Sequence, residues 1–133
     1  MKTYLIKLDI DGKDANPVDV GNEIGFKLKK LSDVLDVTVE KISVYETKNG
    51  YHVYIEISTD IELDGKDVTF IQLFLGSDCY RELYNYVRCK IPNYSGKSFN
   101  VLFKHRIKGE DYGVEEITVN SIEMLRAIYQ VID

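Results

Sequence analysis

Apolar positions follow a period of two along the first eleven residues. Tyr4, Ile6, Leu8 and Ile10 alternate with Leu5, Lys7, Asp9 and Asp11, so a strand here sets an apolar face against a face that carries two acids. The period then lengthens. In NPVDVGNEIGFKLKKLSDVL, Val20, Ile24, Leu28, Leu31 and Leu35 recur at helical spacing behind Asn16 as N-cap and Pro17 at the first helical position, which predicts a helix over 17–35. Gly21 and Gly25 each cost about 1 kcal/mol against alanine in a helix interior, so this helix is expected to pack closely against the sheet. Alternation returns in VTVEKISVYETKNGYHVYIEIS, and Asn49-Gly50 between its two runs predicts a type I′ hairpin turn. The register that follows pairs Val44 with Ile55 and Ile42 with Ile57 on the apolar face. On the polar face it pairs Thr47 with His52, Tyr45 with Tyr54 and Ser43 with Glu56, and leaves the His52 imidazole exposed.

The stretch VTFIQLFL suits a buried strand or a buried helix by its apolar run alone, and reads here as a helix capped by Asp67 and ended at Gly76. Ser77 or Asp78 then caps a second helix with Tyr80, Leu83, Tyr84, Val87 and Ile91 on one stripe, ended by Pro92. SFNVLFKHRI alternates as a strand and VEEITV reads as an added strand. NSIEMLRAIYQVI reads as a closing helix with Asn120 and Glu123 as its capping box. This order predicts an α+β protein: a ferredoxin-like or RRM-like split βαβ sandwich, with an antiparallel sheet, helices on one face, and a C-terminal strand and helix. One domain covers 1–133, with a core at 3–107 and an extension at 108–133. In this topology the first strand lies between the third and the last.

At 133 residues the chain can bury a core without disulfides or structural metal. Cys79 and Cys89 form no ligand-like pattern and read as reduced thiols. The N-terminus lacks a signal-peptide pattern and no apolar run approaches the ~20 residues of a membrane span, so a cytoplasmic protein without a membrane partner is expected. The net charge of −5 argues against indiscriminate binding to polyanions. It also hides a segregation. Between 81 and 108, Arg81, Arg88, Lys90, Lys97, Lys104, Arg106 and Lys108 face one acid, Glu82, and are interleaved with Tyr84, Tyr86, Tyr94, Phe99 and Phe103. That mixture suits phosphate neutralisation and base stacking.

The predicted topology gathers polar residues at one end of the sheet. Asp9 and Asp11, about 7 Å apart along a strand, can share Mg²⁺ or Mn²⁺. They neighbour His52 at the start of the third strand and Asn100 at the start of the last, within reach of Lys97. SGKS at 95–98 is no phosphate-binding P-loop, because Ile91 stands where that motif needs its first glycine.

Hydrophobic-Asp-x-Asp on the first strand followed by TKNGYHVYI resembles the motif pair of the archaeo-eukaryotic primase superfamily, enzymes with an RRM-like palm. The resemblance covers residues 4–58. It implies that Asp9 and Asp11 match metal-binding acids, and that His52, with Thr47 and Asn49-Gly50 before it, matches the motif that contacts nucleotide phosphates. A third carboxylate has no clear counterpart; Asp78, Glu110, Asp111 and Glu115 are the candidates. The resemblance further implies a reduced palm of the kind a virus or plasmid carries and, if active, metal-dependent nucleotidyl transfer. The expected partner is a nucleotide or single-stranded nucleic acid, held by Lys97, Asn100, Lys104 and Arg106. Two alternatives differ in class: a non-catalytic RRM-like module stacking bases on Tyr45 and Tyr54, or an oligomeric scaffold whose open sheet face meets another copy.

Overall fold

The alternating first strand and the hairpin assemble into one antiparallel sheet. A computed structural model describes residues 1–12, 15–91, 106–107, 110–111 and 117–133, with side chains described for 1–12, 15–91 and 121–133. The elements are β1 (Lys2–Asp11), α1 (Pro17–Leu35), β2 (Thr38–Glu46), β3 (Gly50–Thr59), α2 (Gly65–Phe74), α3 (Cys79–Lys90), β4 (Arg106–Ile107), β5 (Glu110–Asp111), β6 (Ile117–Asn120) and α4 (Ile122–Ile132). The main sheet runs β1-β3-β2-β6, and among the described residues β4 pairs with β5. The fold is thus α+β and ferredoxin-like, with α1, α2 and α4 packed on one face of the sheet. Of the expected strand at 98–107, only Arg106 and Ile107 fall among the described residues. The strand expected in VEEITV is β6, at the β2 edge.

The core is the apolar face that alternation marks. Ile6, Leu8 and Ile10 meet Val53, Ile55 and Ile57, and Ile24 and Leu28 of α1, Ile71 and Leu75 of α2, and Met124 and Ile128 of α4 close over them. The closing helix is therefore part of the core rather than an extension beyond it. Asn16 caps α1 as expected, its Oδ1 accepting from Val18 N at 2.9 Å. The glycines of α1 serve a different neighbour from the expected one: a Cβ on Gly21 would lie 2.6 Å from the Met124 carbonyl oxygen, and one on Gly25 would lie 2.7 Å from Val131 Cβ. They let α1 approach α4, not the sheet. Gly21→Ala is accordingly expected to lower the urea midpoint, because the clash with backbone outweighs the gain of about 1 kcal/mol in helix propensity.

The hairpin register differs from the expected one by two residues. Ile42 pairs with Ile55, Ser43 with Tyr54, Val44 with Val53 and Tyr45 with His52, and the hairpin closes through Thr47 N–H to the Gly50 carbonyl at 2.8 Å. The turn residues are Lys48 and Asn49. Neither has positive φ, nor does Gly50, so the turn is not type I′. A shift of two preserves parity, and every side chain keeps its expected face.

Two caps also move. Asp64, not Asp67, is the N-cap of α2, and the two residues form a reciprocal capping box. Ser121 stands at the N-cap of α4 without a side-chain cap bond, in place of the expected Asn120–Glu123 box. Asp78 caps α3 through Oδ2 to Arg81 N. The orientation of α3 is the largest departure. Its apolar stripe points outward, with Tyr80 72 % exposed and Leu83 58 % exposed, while Arg81, Glu82 and Asn85 are buried.

Candidate functional site

Direct cross-strand neighbours share a face, so the register sets three rungs across the side of the sheet away from the core. They are Asp9–His52–Tyr45, Lys7–Tyr54–Ser43 and Leu5–Glu56–Lys41. Asp11 follows Asp9 on the same face, opposite Gly50. The first rung brings His52 Nε2 to 3.7 Å from Asp9 Oδ1. The imidazole also meets the Tyr54 ring edge-to-face, with centroids 6.4 Å apart. Asp9, Asp11 and His52 therefore gather at one end of the sheet, as the sequence predicts. One expectation fails: His52 is 4 % exposed, not solvent-facing. Thr47 is also buried, and the cross-strand partner of His52 is Tyr45, the place expected for Thr47. Tyr45 and Tyr54 stand diagonal to one another, their rings in a T-shaped contact at 5.7 Å.

The outer edge of β1 has an unexpected occupant. In an antiparallel strand, alternate residues direct both backbone polar groups toward the same edge. At Lys7 and Asp9 this edge faces away from β3. Lys7 N–H donates to Gln72 Oε1 at 2.9 Å and the Lys7 carbonyl accepts from Arg81 Nη1 at 3.0 Å. Asp9 N–H donates to Ser77 Oγ at 3.0 Å, and the Asp9 carbonyl accepts from Asp78 N–H at 2.7 Å. Here α2, α3 and the residues between them stand where the expected final strand would pair. Behind this contact lies Glu82, 1 % exposed. Its carboxylate accepts from Gln72 Nε2 at 2.7 Å, Ser77 Oγ at 2.6 Å and Asn85 Nδ2 at 2.9 Å, and pairs with the Arg81 guanidinium.

Sequence reasoning reads Ser77 as a cap and Asp78 as a cap or a third carboxylate, and does not find Gln72, Glu82 or Asn85 as members of the site. The available signal is the close spacing of Arg81, Glu82 and Asn85 on one side of α3, a polar stripe opposite an apolar one. Of the other expected binding residues, Lys97, Asn100 and Lys104 lie outside the described residues, and Arg106 is described only as backbone in β4.

Electrostatics single out the acids. Burial pushes the Asp9 carboxyl above the ordinary range; His52 and Arg81 pull it back, while Asp11 and Asp78 push it further up. Asp11 is raised by burial and by the Asp78 charge. A carboxyl raised on folding is most favourable when protonated. Its cost to stability is absent below the unfolded value of 3.8 and fully present above the folded one. Asp9→Asn is therefore expected to raise the Tm at neutral pH, with the gain shrinking as pH falls through the folded Asp9 titration. Thermal unfolding of both proteins between pH 3 and pH 7 measures it; a gain that grows toward low pH contradicts the shift.

The donor set fits a hard divalent cation in chemistry, with two carboxylates on one strand face, both raised chiefly by burial. It is not a closed cage: among the described residues no group of three or more His, Cys, Asp or Glu side chains could hold a metal ion. Asp78 is committed to capping α3, Glu110 and Asp111 are described only as backbone, and Glu115 lies outside the described residues. Mg²⁺ needs no such cage, since it is commonly held by one or two carboxylates together with substrate phosphates.

Fold and site thus define an α+β domain with an acid-and-histidine cluster at one end of the sheet face away from the core. Comparison with protein-family models, curated proteins and solved structures gives no match. No helix among the described residues is long and apolar enough to cross a membrane.

Proposed function

We propose that this chain acts on nucleotides or single-stranded nucleic acid through a divalent-cation site at Asp9 and Asp11, with His52 facing the phosphates. This is the arrangement implied by the resemblance to the archaeo-eukaryotic primase superfamily. The observation that supports it most is Asp9 directly across from a buried His52 at 3.7 Å, with Asp11 on the same face. Asp9 and Asp11 would hold Mg²⁺ or Mn²⁺, which when bound neutralises phosphate charge and polarises phosphorus. In this reading the buried His52 imidazole reaches a phosphate oxygen only as the side chains over it give way on binding. Its contacts with Asp9 and Tyr54 fix the ring, so orientation costs little on binding. Arg81 holds the Lys7 carbonyl and, with Ser77 and Asp78, steadies the strand from behind.

Mn²⁺ titration with and without a nucleoside triphosphate tests this reading. The expected result is Mn²⁺ binding that tightens with nucleotide and is lost in Asp9→Asn while that variant stays folded. A parent protein that binds neither Mn²⁺ nor nucleotide overturns it. The T-shaped Tyr45–Tyr54 pair on the open face favours a second reading, a non-catalytic module that stacks bases. Salt-sensitive binding of single-stranded DNA or RNA, unaffected by Mn²⁺ and by Asp9→Asn, would select it.

A further inference from the structure

Beyond the Asp9–His52–Tyr45 rung, the open face continues into a depression of about 300 Å³ lined by Leu5, Lys41, Ser43, Tyr45, Tyr54 and Glu56. These are the members of the second and third rungs, apart from Lys7, together with Tyr45 of the first. The side chain of Leu5 and the two tyrosine rings supply apolar and π surface. Since the rings meet nearly perpendicular, at 76°, they form a corner rather than a flat floor. Polar groups are interleaved with them along the rungs: Ser43, across from Tyr54, donates and accepts, Lys41 donates, and Glu56, across from Leu5, accepts.

That combination discriminates among occupants. A phosphate is disfavoured by the Glu56 carboxylate, and an aliphatic ligand would leave Lys41, Ser43 and Glu56 without use. A planar heteroaromatic ring has a π face for the tyrosines and an edge that alternates donors with acceptors. Distance agrees with chemistry. One rung is two residues of strand, so the depression runs from Tyr45 beside the Asp9–His52 rung to about 13 Å from it, a span that a ribose between phosphate and base can bridge.

We propose that this depression is the base-recognition subsite of a nucleoside triphosphate whose phosphates lie at Asp9, Asp11 and His52. The inference rests on the proposed function for the phosphate end and adds the substrate class: a nucleotide recognised through its base, with the base against Tyr54 and its edge read by Glu56, Ser43 and Lys41. Tyr54 fixes affinity for any base, whereas Glu56 ranks the bases by the donors they offer.

The test compares the full chain with Tyr54→Leu and Glu56→Gln, both substitutions at half-buried positions outside the core. The probes are the four ribonucleoside triphosphates, inorganic tripolyphosphate and the unphosphorylated nucleosides, each with Mn²⁺. Expected are triphosphate affinities about tenfold above tripolyphosphate, the order of one lost or gained stack. Tyr54→Leu should remove that margin, costing the triphosphates more than tripolyphosphate, whose own smaller loss reports the edge contact of Tyr54 with His52, and Glu56→Gln should reorder the four bases. Equal binding of triphosphates and tripolyphosphate by the parent, or a Tyr54→Leu loss shared equally by tripolyphosphate, overturns the subsite and leaves the phosphate site standing. Nucleoside binding that depends on Tyr54, with no response to phosphate or Mn²⁺, supports the base subsite while rejecting the metal-site reading. Absence of binding by every probe overturns both.

Discussion

Gly50→Ala and Gly50→Val are both expected to destabilise the chain severely, by about 3 kcal/mol or more, against a total of about 5–15 kcal/mol for a domain. A Cβ at this position would fall on the Ile10 carbonyl oxygen of the neighbouring strand. Backbone of a central sheet cannot yield as a flexible side chain can, so β1 and β3 must part near Asp11 or the hairpin must shift. The cause is close approach, not a left-handed conformation, because Gly50 has no positive φ. The two causes separate experimentally. Asparagine tolerates positive φ but has a Cβ, so Gly50→Asn should be as damaging as Gly50→Ala. Thermal unfolding should register a fall of about 10 °C or more. A Gly50→Asn protein close to the parent in Tm would restore the turn explanation.

The second large effect belongs to Glu82. Removing its carboxylate in Glu82→Ala takes a directly paired counter-charge from the buried Arg81 cation and deprives Gln72, Ser77 and Asn85 of a shared acceptor. Breaking one side of a buried pair costs about 3–5 kcal/mol. Neutralising both sides is gentler, since replacing a buried pair with apolar residues of similar volume is often neutral. Arg81→Met with Glu82→Leu should therefore recover much of what Glu82→Ala loses, despite removing more charge. The coupling measured by urea unfolding of the single and double variants decides this. Additive losses would mean that the two side chains act independently. Partial unlatching should also appear locally, as faster hydrogen exchange at the Lys7 and Asp9 amides.

Parity explains why so much was legible in the sequence. Faces of strands depend only on odd and even positions, so Asp9, Asp11, His52, Tyr45 and Tyr54 could be gathered on the face away from the core even with the pairing shifted by two residues and the turn by one. Helix 17–35 was legible because its cap, its proline and its apolar stripe agree. What remained hidden depends on partners far along the chain. The contact of Gly21 with Met124, and the occupation of the β1 edge by Gln72, Ser77, Asp78 and Arg81, follow from tertiary packing that no local period encodes. The inverted orientation of α3 is the plainest case. An amphipathic pattern says that two faces differ, and here a buried hydrogen-bonded network outcompetes the apolar stripe for the inner position. The depth of His52 was missed for a related reason: alternation reports which face a residue occupies but not how far its neighbours rise around it.

The side-chain occupation of β1 has a consequence for how copies of this chain meet in solution. A sheet ending in an unpaired strand offers a template onto which another molecule can add its own strand. At Lys7 and Asp9 that template is already filled, by an amide, a guanidinium, a hydroxyl and one backbone N–H. A foreign strand approaching there would have to displace charged and hydrogen-bonded groups before gaining a single ladder bond. The same residues that steady the acids thus seal this stretch of the sheet against runaway stacking, and variants that loosen Glu82 should be prone to aggregation as well as less stable.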